Sequence, residues 1–285
     1  MNFLIVGDTS LAGRRLRARL SRKYPVQTAG RSAGADIAFD LADVKGRIPE
    51  VSPADVLIHC AASFRGNKLE DAIGNEVVNS IGALRVMQLA EAARCQHVIY
   101  ISSLSIHAVP QNGYFGSYGL SKRHGQDNME WACGRLNVRF TALVASQLYD
   151  EHGEARRHQA MLYHLIDCAR LGRDIILFGS QDVERNLLFI DDLTMLVEAC
   201  AEQRLTGVFT AAHPRNYRLS EIAELALKTF NQGGRITFDR TRPDVPSIYV
   251  PHDHTLYERL GLWPATDLKH GLALIRDVIA RSGQS

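Results

Sequence analysis

The chain has 285 residues, of which 46% are hydrophobic and 22% are charged, and its formal net charge is +2. This composition is typical of a globular protein and excludes a generally basic surface that would attract nucleic acid or membranes. The five cysteines are scattered and form no CxxC pair, which indicates reduced thiols in a cytoplasmic protein. The N-terminal apolar run Phe3 to Val6 is too short for a signal peptide or a membrane span.

The first half of the chain alternates short apolar runs with longer helical patterns. Strands are predicted at "FLIV" (3–6), "VQTAG" (26–30), "DVLIHCAA" (55–62), "HVIYISS" (97–103) and "VRFTALVAS" (138–146). Helices are predicted at "LAGRRLRARLSRK" (11–23), "VVNSIGALRVMQLAEAAR" (77–94) and "SKRHGQDNMEWACGRL" (121–136). This alternation predicts an α/β fold, a doubly wound parallel sheet covered by helices on both faces. Ligands of such sheets bind at the carboxyl ends of the strands.

The second half of the chain is less regular. It predicts short strands, a helix at "SEIAELALKTF" (220–230) and a proline-containing stretch near Arg242. We therefore expect a dinucleotide-binding domain over residues 1–148 and 205–213. A smaller, interleaved C-terminal substrate domain is expected over 149–204 and 214–285.

A glycine-containing loop, "GDTSLAG", follows the first predicted strand. Gly7 and Gly13 fit the outer glycines of the dinucleotide fingerprint, in which phosphates bind at the helix N-terminus. Ser10 replaces the middle glycine, and its small side chain has a hydroxyl group for a phosphate oxygen. Alone, this match leaves cofactor binding and a plain strand-turn-helix equally open.

The second predicted strand ends in "TAGRS", without the carboxylate that binds the ribose of NAD in many such folds. Arg31 and Ser32 follow the strand instead, and an arginine there can bind a 2′-phosphate through several donors. This favours NADPH over NADH, with NAD as the open alternative if Arg31 is only a surface charge. Asp40 and Leu41 are placed where they could meet the adenine.

Tyr118 and Lys122 are four residues apart in a predicted helix and so share a face. An ammonium beside a phenol lowers the pKa of the tyrosine, which can then exchange a proton with an alcohol or ketone oxygen. Ser103, at the end of "HVIYISS", could hydrogen-bond the same oxygen.

With these motifs together, the sequence resembles the extended short-chain dehydrogenase/reductases. Within them it is similar to the branch of sugar-nucleotide epimerases, dehydratases and reductases, which have a Rossmann-type domain. The resemblance covers nearly the whole chain. It is carried by "GDTSLAG", "VLIHCAA", "NSIGALRVMQLAEAA", "VIYISSLS", "YGLSK", "NLLFIDDL", "RPDVP" and "LYERLGLWPATDLKHGL". It implies that Tyr118 is the acid/base and that Lys122 lowers its pKa and binds the nicotinamide ribose. Ser103 would orient the substrate carbonyl, with Ser102 as the other candidate.

The resemblance also implies a cofactor site and a substrate site. The expected cofactor-binding residues are Gly7, Thr9, Ser10, Leu11, Gly13, Arg31, Ser32, Asp40, Leu41, Cys60, Ala61, Ala62, Asn79, Tyr118 and Lys122. For Asn79, a helix-packing or capping role is equally open. The polar residues expected near the substrate are Ser103, His107, Tyr114, Gln147, His158 and Arg185. Arg185 could hold a nucleotide diphosphate through bidentate contacts.

The two residues directly after the expected catalytic serine narrow the chemistry. Dehydratases of this family have an Asp-Glu pair there, whereas this chain has Leu104 and Ser105, which argues against dehydration. We expect an NADPH-dependent reductase of a 4-keto-6-deoxy nucleotide sugar. An NAD-dependent 4-epimerase and a non-enzymatic NADPH sensor are the alternatives.

The remaining expectations concern metals and partners. His252 and His254 bracket Asp253, but no further ligand cluster accompanies them, so no metal site is expected. By resemblance we expect a homodimer formed by the helix of Asn79 and the helix of Tyr118. The expected ligand is a small molecule, with neither nucleic acid nor a membrane as partner.

Overall fold

The computed structural model of the chain describes residues 1–110, 114–248, 250 and 252–282. They form two compact units, one of residues 1–145 and 194–210 and one of residues 146–193 and 211–285. The strands are β1 (Phe3–Val6), β2 (Val26–Gly30), β3 (Ile37–Ala38), β4 (Val56–His59), β5 (His97–Ser103), β6 (Arg139–Ala145), β7 (Gln147–Tyr149), β8 (Ile175–Phe178), β9 (Glu184–Arg185), β10 (Leu187–Phe189), β11 (Gly207–Ala211), β12 (Tyr217–Arg218) and β13 (Ile236–Asp239). The α-helices are α1 (Leu11–Leu20), α2 (Leu69–Asn75), α3 (Gly82–Ala92), α4 (Ser117–Leu136), α5 (Ala160–Arg170), α6 (Ile190–Glu202), α7 (Leu219–Phe230), α8 (Thr255–Leu260) and α9 (Leu268–Ser282).

The first unit is built on a seven-stranded sheet in the order β11-β6-β5-β4-β1-β2-β3. The pairings from β3 through to β6 are parallel. Strand β1 has β2 on one side and β4 on the other, so the direction of winding reverses between β1 and β4. The predicted doubly wound α/β fold is confirmed. Its ligand position is the carboxyl edge of the sheet beside this reversal.

The core of the first unit follows from the strand composition. Strands β1 and β4 are buried at every residue, as expected for strands covered on both faces. Val86 and Leu89 of α3 pack with Leu4 and Leu57 in one apolar cluster. This cluster lies under the strands whose carboxyl ends carry the predicted site.

The second unit contains three short strand pairs and most of the remaining helices. Strand β7 pairs in parallel with β10, β8 in parallel with β13, and β9 antiparallel with β12. Asp192, in the first turn of α6, joins this helix to a later segment of the second unit. Its carboxylate accepts the amide hydrogens of Ala265 (2.9 Å) and Thr266 (3.1 Å), in the segment that leads into α9.

The unit boundaries differ from those expected from the sequence. Residues 194–204 group with the first unit and not with the second, and residues 146–148 and 211–213 group with the second. The physical reason is visible in α6, where the buried carboxylate of Glu198 accepts hydrogen bonds from Arg19 and Lys23 of the first unit. In the described part of the chain, no helix is long and apolar enough to cross a bilayer.

Candidate active site

The glycine loop packs tightly against the segment after β4. Gly7 has φ +107°, and a Cβ at this position would lie 2.6 Å from the amide nitrogen of Ala61. A Cβ on Gly13 would collide with the carbonyl oxygen of Gly7. Both outer glycines of the fingerprint are therefore required by the close packing of the loop, with Ala61 in contact with Gly7. The amides of Cys60 and Ala61 donate to the carbonyl oxygen of Val6, directly before the loop.

Ser10, at the position of the missing middle glycine, is a helix cap. Its Oγ donates to the carbonyl oxygen of Gly7 (2.8 Å) and accepts the amide hydrogen of Gly13 (3.0 Å). The single hydroxyl proton is thus used inside the loop, where it closes the turn, and is not directed to a phosphate as the sequence suggested. The amides of Leu11 and Ala12 come too early in α1 for an intrahelical partner, so the loop residues fit a pyrophosphate.

Strand β2 ends beside a carboxylate that sequence reasoning missed. Arg31 is exposed and forms no hydrogen bond or ion pair with any residue that the structure describes. Ser32 donates its hydroxyl hydrogen to Oδ2 of Asp8, which belongs to the glycine loop. A side chain on Gly30 would collide with Oδ1 of Asp8, so the carboxylate lies over the last residue of β2. The only signal in the sequence is the acidic residue directly after Gly7.

The two residues predicted to meet the adenine differ in their exposure. Asp40 is exposed, and its Oδ1 accepts the amide hydrogen of Ala42 (2.9 Å) in a tight turn. Leu41 is only 6% exposed and belongs to the apolar core. It packs where a Cβ on Gly82 would touch it, at 2.9 Å. Leu41 is therefore a core residue, because the alternation of buried and exposed side chains that starts in β3 continues past its end, with Asp40 outward and Leu41 inward.

The predicted catalytic residues come together at the carboxyl end of β5. Helix α4 begins at Ser117, so Tyr118 and Lys122 share one face of its first turns. Ser103 is half-buried and lies close enough to the Tyr118 phenol to lower its pKa. Its Oγ donates to Oγ of Ser105 (3.2 Å) and accepts the amide hydrogen of Ser105 (3.2 Å). Ser102 faces the opposite side of the strand, where its buried Oγ has no hydrogen-bond partner in the described chain. The geometry therefore selects Ser103 over Ser102 as the partner of Tyr118.

The electrostatics of this group differ from the expectation. Burial raises the pKa of Tyr118 above its ordinary value of 10.0, and the nearby Ser103 hydroxyl opposes this rise. Burial lowers the pKa of Lys122 to about 7. The Lys122 Nζ donates to the carbonyl oxygen of Ile101 (2.7 Å) and lies 4.0 Å from the ring centroid of Tyr100. Desolvation, and not the lysine charge, therefore dominates the pKa of the phenol in the ligand-free chain.

Asn79 is a connector between two segments of the first unit. It lies in a π-helical turn, Glu76–Ile81, between α2 and α3. Its Oδ1 accepts from the amide of Ser63 (2.7 Å). Its Nδ2 donates to the carbonyl oxygen of Ser63 (2.8 Å) and to Oγ of Ser121 (2.9 Å). Because these bonds occupy the amide group, the structure supports the packing role of Asn79 over cofactor binding.

Asn75 repeats this pattern one turn earlier and was not predicted. Its Oδ1 accepts from Oγ of Ser63 (2.9 Å) and from the amide of Arg65 (3.1 Å). Its Nδ2 donates to Oγ of Ser117 (2.9 Å) at the start of α4. The loop 63–67 is thereby fastened to the helix of the catalytic residues. Phe64 of this loop packs edge-on against the Tyr118 ring, with centroids 4.6 Å apart.

The predicted substrate residues are divided between the two units. His107 and Tyr114 are exposed in the first unit. Gln147, His158 and Arg185 belong to the second unit. The guanidinium of Arg185 is almost fully buried and donates to the carbonyl oxygen of Glu184 (2.6 Å), and Gln147 donates to Gln159 (2.9 Å). These placements do not test the roles of the five residues in substrate binding, which stay predictions.

No metal site accompanies this arrangement in the residues that the structure describes. No group of three or more His, Cys, Asp or Glu side chains there could hold a metal ion. His252 and His254 lie next to each other, with ring centroids 6.1 Å apart, in the segment before α8.

A glycine loop before α1, a serine ending β5 and a Tyr-Lys pair in α4 define an NAD(P)-dependent enzyme of the extended short-chain dehydrogenase/reductase type. The sequence profile of the NAD dependent epimerase/dehydratase family matches residues 3–210. The chain belongs to this family, and the resemblance found in its motifs is confirmed. No curated protein sequence matches the chain.

Solved structures share the fold of this chain at low sequence identity. UDP-glucose 4-epimerase from Thermotoga maritima, solved with UDP-glucose, is 16% identical with a TM-score of 0.80, covering 99% of each chain. UDP-N-acetylglucosamine 4-epimerase from Bacillus cereus is 16% identical with a TM-score of 0.79, covering 98% of this chain and 96% of that one. RMD from Pseudomonas aeruginosa, complexed with NADPH, is 17% identical with a TM-score of 0.79, covering 98% and 99%. At such identities the similarity is one of fold.

Proposed function

We propose that this protein reduces a keto group on a nucleotide-activated sugar of the 4-keto-6-deoxy type. The nicotinamide cofactor supplies a hydride to the carbonyl carbon when it is bound. Tyr118 gives its phenolic proton to the carbonyl oxygen, which becomes the alcohol, and the phenolate regains a proton from water. Ser103 hydrogen-bonds the same oxygen and holds it in reach of the phenol.

The observation that carries this proposal is the position of Tyr118, a phenol near Ser103 at the carboxyl end of β5 and one helical turn before Lys122. Burial raises the pKa of the phenol above its ordinary value of 10.0, so the group is a proton donor at neutral pH. Reduction begins with such a donor.

A 4-epimerase is the second candidate, supported by the UDP-sugar 4-epimerases among the structures of the same fold. It differs from a reductase in retaining its cofactor unconsumed. Both candidates use Ser103, Tyr118 and Lys122. A non-enzymatic NADPH sensor would not need these three residues. Because the chain has all three, an enzyme is favoured. For the reductase, the sequence predicts NADPH as the cofactor, because Arg31 could bind its 2′-phosphate. The reduction of the carbonyl group is the same reaction with NADH.

The test is reduction of a nucleotide-activated 4-keto-6-deoxyhexose, followed by the loss of absorbance of NADPH or NADH. We expect turnover by the wild-type protein and a loss of about 10²–10⁴-fold in kcat for Tyr118→Phe. Cofactor affinity of the variant should stay within about threefold, because the lost hydroxyl acts on the substrate oxygen.

The matched control is Tyr24→Phe, which removes a hydroxyl that donates to Glu202 (2.6 Å), outside the predicted site, and should leave kcat unchanged. Full activity of Tyr118→Phe would contradict the proposed mechanism. Tightly retained NAD in the purified protein, with interconversion of UDP-sugars and no net consumption of NADPH or NADH, would establish the epimerase instead.

A further inference from the structure

The carboxylate of Asp8 occupies the end of β2, where the cofactor's adenosine ribose is expected in a fold of this kind. The chain has no acidic residue at the end of β2 itself, where Arg31 stands. Asp8 reaches this place from the glycine loop, because Gly30 has no side chain to keep it out. The tertiary structure thus supplies a carboxylate that the sequence order conceals.

The two oxygens of this carboxylate have different surroundings. Oδ2 accepts the hydroxyl hydrogen of Ser32, which fixes the orientation of the group. Oδ1 lies over the backbone of Gly30 and accepts no hydrogen bond from any residue in the described ranges. Asp8 is half-buried and forms no ion pair with Arg31 in these ranges. The site therefore presents an oriented acceptor with an unused oxygen.

This acceptor distinguishes the two nicotinamide cofactors. The 2′-hydroxyl of NAD(H) is a donor and suits a carboxylate oxygen. The 2′-phosphate of NADP(H) carries only negative charge and acceptor oxygens, so a half-buried carboxylate repels it. Arg31 is exposed and unpaired with Asp8, so it does not neutralise the carboxylate.

We propose that Asp8, oriented by Ser32, selects NAD(H) over NADP(H) by accepting a hydrogen bond from the ribose 2′-hydroxyl. This inference replaces the preference for NADPH that Arg31 suggested. It rests on the proposed binding of the cofactor by the glycine loop, and it holds for a reductase and for an epimerase alike.

The experiment is calorimetric titration of NAD⁺ and NADP⁺ into the cofactor-free protein and into the isosteric variant Asp8→Asn. We expect the wild-type protein to bind NAD⁺ at least about tenfold more tightly than NADP⁺, a margin of about 1.4 kcal/mol. In Asp8→Asn the affinity for NADP⁺ should rise about tenfold, since the charge is removed. The affinity for NAD⁺ should stay within about threefold, because the amide oxygen still accepts a hydrogen bond.

Arg31→Ala is the matched control, and it should change the ratio of the two affinities by less than about threefold. The inference is overturned if the wild-type protein prefers NADP⁺, or if Arg31→Ala abolishes discrimination while Asp8→Asn does not. Should Asp8→Asn not fold, direct competition of NAD⁺ with NADP⁺ on the wild-type protein still measures the preference. Binding of neither nucleotide would refute the cofactor loop itself, and with it the proposed function. Preference for NADP⁺ would refute only the role of Asp8.

Discussion

At the scale of single residues, the buried His59 makes the stability of the folded chain depend on pH in the acid range. It is fully buried at the carboxyl end of β4 and stacks on Tyr100, with ring centroids 5.3 Å apart. Neither ring nitrogen has a hydrogen-bond partner in the described chain. Burial, with a contribution from the charge of Lys122, lowers the pKa of His59 from 6.5 to about 3. Between these pH values the unfolded chain binds a proton that the folded chain does not. The free energy of unfolding therefore decreases as the pH falls from 6.5 to about 3.

We therefore expect His59→Phe to be less sensitive to acid than the wild-type protein. The free energy of unfolding of the wild-type should fall about 1.4 kcal/mol per pH unit faster than that of the variant below pH 6.5. Urea unfolding at pH 7, 6, 5 and 4 measures both slopes. His97, whose pKa is lowered to about 4 by burial, is present in both proteins, so the difference isolates His59. Parallel pH dependences would contradict the expectation.

Residues of the site were predictable from the sequence where their relation is local. Tyr118 and Lys122 share a face because of helical spacing, and Ser103 is identified by the end of its strand. Asp8 was not predictable, because its partner Ser32 is 24 residues away and the two meet only through the packing of the loop against β2. The reversed shift of the Tyr118 pKa also depends on burial, which residue spacing does not reveal.

At the scale of elements, the fastening of loop 63–67 to α4 has a testable consequence. Removing the Asn75 side chain breaks its hydrogen bonds to the loop and to Ser117, which loosens the packing of Phe64 on Tyr118. Ser117 still donates to the loop, to Oδ1 of Asn67 and to the carbonyl oxygen of Gly66, so the loop is loosened and not released. We expect Asn75→Ala to lower kcat about tenfold, as the phenol loses its fixed position, with the KM for cofactor nearly unchanged. Steady-state kinetics, with the melting temperature as a check on folding, measures this.

The control is Asn128→Ala in α4. The Asn128 amide donates to the carbonyl oxygen and the Oγ of Ser80, both at 3.2 Å, in the π-helical turn but further along α4. It should destabilise the helix pair to a similar extent and leave kcat intact. Equal losses of kcat in both variants would show that general destabilisation, and not the position of Tyr118, is responsible.

The strands and helices of the first unit followed their apolar periods, so most were predictable in type and order. The π-helical turn at Glu76–Ile81 was not, because the apolar spacing of "VVNSIGALRVMQLAEAAR" is the same for an uninterrupted helix. It lies where α4 crosses closely, since a Cβ on Gly125 would collide with the carbonyl oxygen of Asn79. That approach is a tertiary property. Only the glycine itself is visible in the sequence.

At the scale of the whole molecule, alternating strands and helices were enough to predict the α/β class and the parallel sheet. The boundaries between the units were less predictable from the sequence. Helix α6 has an apolar pattern that would suit either unit. Its residues from 194 onward belong to the first unit, where the buried Glu198 meets its long-range partners Arg19 and Lys23.

The homodimer predicted through α3 and α4 stays a prediction, and the outer surface of these helices offers its test. A groove of about 410 Å³ lies there, and Ile81 and Trp131 line it. Trp131 is 64% exposed, and Ile81 is 44% exposed. A large aromatic side chain in an exposed apolar groove is typical of a protein interface, because its burial on association is strongly favourable.

We expect the wild-type protein to sediment as a dimer at micromolar concentration and Trp131→Glu to sediment as a monomer. A charge at this position would have to be buried without a partner in the dimer, which costs several kcal/mol, about enough to shift the equilibrium a thousandfold. Leu171→Glu is the control, because Leu171 is also exposed, at 47%, but lies at the end of α5 in the second unit. It should remain dimeric. A monomeric wild-type protein, or an unchanged dimer of Trp131→Glu, would remove α3 and α4 from the interface.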